Sequence, residues 1–381
     1  MLFSIAMERY ISKHIIPDLK KKMVVITGPR QVGKTYIAHS LQKEFEKPVY
    51  LNYDDPAHAL IINNRQWPDD SGLVILDEIH KMKKWKQFIK GAYDTKPQTR
   101  SILVTGSASL DILAMSGESL AGRYFQYRLN PLSVKELSGT TAPAEALCRL
   151  NERGGFPEPY LADSDEDAAR WRKQYFYGII REDILDLSRI HEIKTLQLLL
   201  ELLRRRTGAP LSYLSLSRDL HISPHTVKNY VELLESLYVV FLVHPFHRNI
   251  ARSVLKEPKL YFYDTGFVQG DEGARLENTV AVCLKKHVQY LEDTRGEAVQ
   301  LDYVRLRDGR EVDFAITVDD AVSALVEVKL SDTELSPPLA NFSASLKNAD
   351  AFQIVQNIRT EKQVKNVHIV SAANWLANLS A

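Results

Sequence analysis

A parallel-sheet α/β fold is what this 381-residue sequence predicts, and three short apolar segments carry the prediction. Met23-Val-Val-Ile-Thr27 leads directly into Gly28-Pro-Arg-Gln-Val-Gly-Lys-Thr35. Leu73-Val-Ile-Leu ends in Asp77-Glu78, and Ser101-Ile-Leu-Val-Thr105 ends in Gly106-Ser107-Ala-Ser109. Runs this short and this apolar read as strands buried on both faces, as in a parallel sheet covered by helices.

Composition bounds the rest. At about 150 residues per domain the length gives two to three domains. The 45% hydrophobic and 25% charged fractions are those of an ordinary globular chain and argue against a disordered or fibrous one. Lys and Arg number 49 against 48 Asp and Glu, so no global field draws the protein to nucleic acid or anionic lipid, and any basic site is local. Two cysteines, Cys148 and Cys283, are too few for a disulfide scaffold or a four-cysteine zinc site and fit a reducing compartment. Met1 to Tyr10 lacks the apolar core of a signal peptide, and no apolar run approaches the roughly 20 residues of a membrane span. The expectation is a cytoplasmic protein with no membrane partner.

The segment after the first strand is a full G-x4-G-K-T phosphate loop. Gly28 and Gly33 permit the backbone turns by which successive N–H groups surround a phosphate. Residues 36–45 supply a helix whose positive N-terminus faces the same anion. Pro29, Arg30, Gln31, Val32 and Tyr36 complete the expected nucleotide-binding stretch. Lys34 is placed to reach the β- and γ-phosphates of ATP, and the Thr35 hydroxyl to take one position on Mg²⁺. The Leu73–Asp77 run reads as the second half of the site. Asp77 holds Mg²⁺ through water, and Glu78 polarises a water for attack on the γ-phosphate. Glu78 is the residue that points to hydrolysis beyond binding.

Two further positions stay open. Ser107, after the third strand, either senses the γ-phosphate or caps the helix expected over 110–115. Arg123, in Leu120-Ala-Gly-Arg123, either stabilises phosphoryl-transfer charge, in its own chain or across a subunit boundary, or is a surface arginine.

The motifs in series are specific. Gly28 to Thr35, Tyr50-Leu-Asn-Tyr-Asp-Asp-Pro56, Leu76-Asp-Glu-Ile-His80, Thr105-Gly-Ser107, Gly122-Arg123 and Gly154-Gly-Phe-Pro-Glu158 together resemble the AAA+-type prokaryotic ATPases of the family that carries a DUF4143 C-terminal region. The resemblance runs over nearly the whole chain. It implies an ATP-binding core with a glutamate after the second motif and a sensor-like serine, and it implies no defined cellular task.

Downstream, Gly154-Gly155 with Pro157 and Pro159 marks a turn-rich boundary. Helical spacing returns over 168–206, with Trp171, Tyr175 and Ile179 four apart and Leu196, Leu199 and Leu203 on one face. Arg204-Arg-Arg206 before Gly208 reads either as a nucleic-acid patch or as a helix C-terminus, the cap being favoured. Residues 211–243 spell a helix-turn-helix whose second helix opens at Ser223-Pro224. Val227, Tyr230, Val231 and Leu234 face its core, leaving His225, Thr226, Lys228 and Asn229 outward. A basic turn, His247 to Arg252, fits the wing of a winged helix.

Near the C-terminus, Asp308-Gly-Arg-Glu-Val-Asp313 reads as a hairpin entering a strand, and Ala324-Leu-Val-Glu327-Val-Lys329 as a second strand with Glu327 and Lys329 on one face. With Glu277 on a preceding helix, these positions resemble the PD-(D/E)xK nuclease fold. That likeness implies a metal held by Glu277, Asp313 and Glu327, with Lys329 beside the attacking water. A degenerate core that binds without cutting is the competing reading.

The expected organisation is a P-loop domain over 1–140, a helical arm over 141–209, a winged-helix-like unit over 210–259 and a small α/β PD-(D/E)xK-like domain over 260–381. The expected activity is Mg²⁺-dependent ATP hydrolysis, with DNA, a protein partner and self-association as candidate interactions. The alternative is a nucleotide-gated interaction module whose nuclease-like region is catalytically silent.

Overall fold

The computed structural model describes residues 8–106, 120–179, 193–246, 256–305, 309–331, 334–346 and 348–381. They fall into two compact units, residues 1–130 and 131–381.

In the first unit five strands form one sheet: β1 (Met23–Thr27), β2 (Pro48–Asn52), β3 (Leu73–Asp77), β4 (Ser101–Thr105) and β5 (Tyr124–Arg128). Their order is β2-β3-β4-β1-β5, and every pairing is parallel. The three apolar runs, β1, β3 and β4, are buried at every position, which is why they lack the alternation of a one-faced strand. Parallel pairing puts the C-terminal ends of β1 and β3 on the same side of the sheet, although Asp77 lies 49 positions after Gly28 in the sequence. Its described α-helices are α1 (Ser12–Leu19), α2 (Lys34–Leu41), α3 (Pro56–Asn63) and α4 (Trp85–Asp94). Asp55 starts α3 by accepting N–H groups of Ala57 and His58, with Pro56 at the first helical position. Val25, Val74, Leu76, Ile102 and Val104 of the sheet pack against Ile62, Trp85 and Ile89 of α3 and α4.

The second unit holds an eight-stranded sheet of β6 (Val240–Pro245), β7 (Lys259–Phe262), β8 (Val299–Arg305), β9 (Glu311–Val318), β10 (Ala321–Lys329), β11 (Asp350–Val355), β12 (Lys362–Val364) and β13 (Val367–Ser371). The order is β12-β13-β11-β10-β9-β8-β6-β7. Its described helices are α5 (Val134–Leu137), α6 (Pro143–Arg153), α7 (Pro157–Leu161), α8 (Asp165–Gly178), α9 (Ile193–Arg204), α10 (Tyr213–Leu220), α11 (Pro224–Ser236), α12 (Glu272–Arg295), α13 (Pro337–Ser345) and α14 (Ala372–Ala377).

The apolar stripes expected on these helices are buried: Trp171, Tyr175 and Ile179, then Leu196, Leu199 and Leu203, then Val227, Tyr230, Val231 and Leu234. Ser223 accepts the Thr226 N–H, and Pro224 opens α11. Residues 210–259 do not stand apart from the C-terminal sheet. The strand after α11, β6, pairs antiparallel with β7 and parallel with β8, so backbone hydrogen bonds join the helix-turn-helix segment to that sheet. The basic turn at His247 to Arg252 and Asp308 of the hairpin lie outside the described residues. So does the segment 180–192, the middle of the helical stretch expected over 168–206.

Candidate functional site

The loop after β1 takes the conformation its glycines allow. Gly28 has φ 142° and Gly33 φ 103°, both in the region L side chains avoid. A Cβ on Gly28 would also stand 2.3 Å from the carbonyl oxygen of Leu129, so this turn packs directly on backbone. Buried Arg9 ties the loop down, donating from Nη1 to the Val32 carbonyl at 2.5 Å and from Nη2 to the Asn130 carbonyl at 2.6 Å. Sequence reasoning missed Arg9, because a lone arginine before the first strand carries no motif.

Gly33 caps α2 without a side-chain hydrogen bond, the arrangement of a helix start that faces an anion. Lys34, only 5% exposed, donates from Nζ to the carbonyls of Gly28 at 3.0 Å and Pro29 at 2.7 Å, which folds its ammonium over the loop. Val32 is wholly buried, whereas Arg30 and Tyr36 are half-buried and Gln31 is exposed with φ 58°.

The two motifs meet at one oxygen. Thr35 Oγ1 donates to Asp77 Oδ2 at 2.9 Å, and the Tyr50 hydroxyl donates to the same oxygen at 2.6 Å. Thr105 Oγ1 holds Asp77 Oδ1 from the neighbouring strand. Asp77 is 1% exposed, so its carboxylate is oriented by three hydroxyls from three different elements. Tyr50 and Thr105 are the residues a motif search passes over; their role depends on strand order alone. Burial and the Asp77 charge hold the Tyr50 phenol well above its ordinary pKa, so it remains a donor.

Glu78 follows on a strained backbone, φ 53°, its N–H donating to the Thr105 carbonyl at 3.1 Å. Burial raises its pKa against the opposing pull of Lys34. His80 lies with Nδ1 3.5 Å from Glu78 Oε2. Burial, with Lys81 and Lys34 adding repulsion, pushes the imidazole down to about 4, so it is neutral near pH 7. The Thr35 hydroxyl and Asp77 carboxylate are adjacent hard oxygen donors, which suits Mg²⁺ carried by a nucleotide.

Ser107 lies outside the described residues. Arg123 stands at the wrong end of the sheet for a role on phosphates of its own chain. Its carbonyl accepts the Met23 N–H at the start of β1, while the phosphate loop follows the end of that strand, about 16 Å away at the rise of a five-residue strand. Its guanidinium is held by Asp94, at 2.8 and 3.3 Å.

A groove of about 700 Å³ opens beside β3, lined by Tyr53, Lys81, Lys83, Lys84 and Phe88 among others. Lys81 pairs with Asp54. The near-neutral whole is uneven here: residues 1–130 carry more Lys and Arg than Asp and Glu, and residues 131–381 fewer.

In the second unit, Glu277 lies on α12, Asp313 on β9, and Glu327 and Lys329 on β10. Each is engaged by neighbours within the unit. Glu277 Oε1 accepts the Tyr261 hydroxyl at 2.6 Å, and Asp313 Oδ2 accepts the Val328 N–H at 2.9 Å. Glu327 Oε1 takes Ser336 Oγ at 3.1 Å and Lys329 Nζ at 2.9 Å, while its Oε2 is buried without a hydrogen-bond partner. Lys259 Nζ approaches Glu277 at 3.4 Å, Glu311 at 3.1 Å and Asp313 at 3.6 Å. Among the described residues no group of three or more His, Cys, Asp or Glu is arranged to hold a metal ion. The Asp313 charge nevertheless raises the pKa of both Glu277 and Glu327, after the larger effect of burial, so the three acids share one neighbourhood. Lys259, on β7, stands among these acids, and no spacing pattern announces it.

Of the outward positions expected on the helix-turn-helix, His225, Lys228 and Asn229 are exposed and Thr226 is half-buried. Lys228 lies 3.6 Å from Glu232, one turn on. Arg204 is bound to Glu201 and to the Phe267 carbonyl, and Arg206 to Asp219, so both belong to the local fold of the helix end.

Comparison with known proteins places these features. Residues 20–138 match the family described as AAA domain, and residues 144–271 a domain of unknown function, DUF8612, in the region where the resemblance implied DUF4143. The first segment is thus an AAA-type P-loop domain, in agreement with its parallel five-stranded sheet. An uncharacterized protein of Mycobacterium tuberculosis is 30% identical over 65% of this chain and 55% of its own length. An uncharacterized protein of Methanocaldococcus jannaschii is 27% identical over 89% of this chain and 81% of its own. The chain spans about half the length of the mycobacterial relatives it matches. Among solved structures, the Walker-type ATPase of Pyrococcus abyssi aligns with TM-score 0.44 and 14% identity over 71% of this chain and 94% of that one. A RuvB variant of Thermotoga maritima aligns with TM-score 0.32 and 16% identity over 61% and 88%. Among the described residues no helix is long and apolar enough to cross a membrane.

Proposed function

We propose that the AAA-type P-loop domain binds MgATP and hydrolyses it. The observation that carries this reading is the hydrogen bond from Thr35 to Asp77 at 2.9 Å, which joins the phosphate loop to the end of β3 with Glu78 the next residue. Lys34 neutralises the β- and γ-phosphates, and the N–H groups of the loop from Gly28 to Gly33 surround them. Thr35 and Asp77 would hold Mg²⁺, which would supply neutralisation of the charge developing on the phosphoryl oxygens. Glu78 orients the attacking water, and His80, neutral near pH 7, lies 3.5 Å from the carboxylate without quenching its charge. Ser107 is proposed as the γ-phosphate sensor. Arg123 has a role on phosphates only across a subunit boundary, which requires self-association.

The second unit is the proposed output. The buried stripe of α11 and the hairpin of β6 and β7 support a winged-helix-like reading, and the succession α12, β8, β9, β10 supports a PD-(D/E)xK-like one. DNA is the candidate partner; the lysines lining the groove beside β3 support contacts with a phosphate backbone. The second reading, a nucleotide-gated interaction module with a silent nuclease-like region, is favoured by the acid cluster being filled by Lys259. Both readings place the protein in the cytoplasm, in keeping with its free cysteines.

The test is Mg²⁺-dependent phosphate release with and without single- and double-stranded DNA. Lys34→Ala abolishes nucleotide binding, and Glu78→Gln keeps binding but slows release by about 10²-fold or more. Unchanged release in both variants rejects the ATPase. Turnover indifferent to DNA favours the protein-interaction module.

A further inference from the structure

We propose that the acidic cluster of the second unit holds the ammonium of Lys259 in the place of a divalent cation, making this nuclease-like core a metal-free structural module. The inference does not depend on nucleotide binding by the first unit.

The ammonium is enclosed. Lys259 is 1% exposed, and three carboxylates stand at 3.1 to 3.6 Å from its nitrogen: Glu311, Glu277 and Asp313. The Tyr303 ring covers it at 5.5 Å from the centroid, a cation–π contact. These separations are those of ion pairs. The acids are also engaged elsewhere. Tyr261 donates to Glu277, the Val328 N–H to Asp313, and Arg305 lies 3.4 Å from the second oxygen of Glu311. Lys259 and Arg305 thus offset two of the three carboxylate charges, and Tyr261 and the Val328 N–H each occupy an oxygen of the cluster.

The lysine cannot easily swing away. Its Cα is in register with Val243 on β6, and on its other side it bridges Pro210. Gly208 and Leu211, either side of that bridge, donate backbone hydrogen bonds to Leu260 and Pro258. Gly208 lies so close to Glu277 that a Cβ there would stand 3.0 Å from its carboxylate, so the chain closes over the acid from that side. Burial alone would favour a neutral amine, but the pull of Glu277, Asp313 and Glu311 outweighs it and holds the group charged.

The experiment is a Mn²⁺ titration of the full chain without nucleotide, by calorimetry and by thermal melting. Wild type and Asp313→Asn should titrate alike. Lys259→Met should melt lower than wild type, gain a single Mn²⁺ site, recover its melting temperature with Mn²⁺, and lose all three properties when Asp313→Asn is added. A Mn²⁺ site in wild type that Asp313→Asn removes overturns the proposal, as does a folded Lys259→Met that gains no site. If Lys259→Met does not fold, the comparison of wild type with Asp313→Asn still decides: equal Mn²⁺ binding supports the proposal, and loss in the variant overturns it.

Discussion

Gly154 stands against Asp264 so closely that a Cβ on the glycine would lie 1.6 Å from Asp264 Oδ1. The glycine also has φ 74°, and the carboxylate it touches is paired with Arg172 at 2.8 Å. A motif legible only as a turn is thus the floor of a buried ion pair. Gly154→Ala must move that pair and strain the backbone, and is expected to cost at least about 2 kcal/mol. Urea unfolding of the second unit should show an earlier midpoint at unchanged slope.

Lys286 and Glu136 form a second buried pair, with side chains 0% and 1% exposed, and Lys286 also donates to the Pro131 carbonyl at 3.1 Å. Lys286→Met takes the ammonium away from a buried carboxylate, an expected loss of about 3–5 kcal/mol. Adding Glu136→Gln removes that charge and should restore much of the loss, a non-additivity that a double-mutant cycle in urea reads directly.

His287 Nδ1 accepts the Ser380 N–H at 3.1 Å, which requires the neutral ring, and burial lowers its pKa to about 4. The folded value lies below the unfolded one of about 6.5, so between them the unfolded chain binds more protons. The stabilisation is complete above about pH 6.5 and is lost as pH falls towards 4, by at most about 3 kcal/mol. His80 acts in the same direction and window. His287→Gln should flatten only its own share of the fall, as measured by denaturation midpoints between pH 7 and 4.

Thr35→Ala removes a hydroxyl from the oxygen pair proposed for Mg²⁺ and leaves Asp77 held by Tyr50 and Thr105. The Mg²⁺ concentration for half-maximal phosphate release should rise about tenfold, the usual order for a weakened ligand shell. Arg123→Ala, at the far end of β5, should leave MgATP affinity within about twofold, since it makes no contact in the charge-stabilising shell.

Lys83 and Lys84 line the groove beside β3, apart from the Thr35 and Asp77 pair. Lys83→Glu with Lys84→Glu should weaken single-stranded DNA binding by about tenfold or more in low salt and lower its salt dependence, while basal phosphate release stays at the wild-type rate. Equal DNA binding by the variant would remove the groove from the reading.

The phosphate loop, the carboxylate end of β3 and the buried stripes of α8, α9 and α11 were legible in the sequence because each depends on residues close in the chain: a glycine turn, an apolar run, a period of 3.6. What surrounds Asp77 was not legible. Tyr50 and Thr105 reach it from β2 and β4 because the sheet order sets those strands on either side of β3, and a sheet order is a long-range pairing that no local pattern encodes. Arg123 reads near a phosphate in one dimension and lies at the opposite edge of the sheet in three, since parallel strands separate their two ends completely. The acid cluster shows the same limit. Glu277, Asp313, Glu327 and Lys329 announce a metal by type and spacing, but tertiary pairing of β7 with β6 brings in Lys259, and a single buried ammonium changes what those acids can hold. Chemistry that follows from neighbours in sequence was determined by the sequence alone; chemistry that follows from the balance of charge in a closed space was decided only by the fold, because burial makes each added charge count.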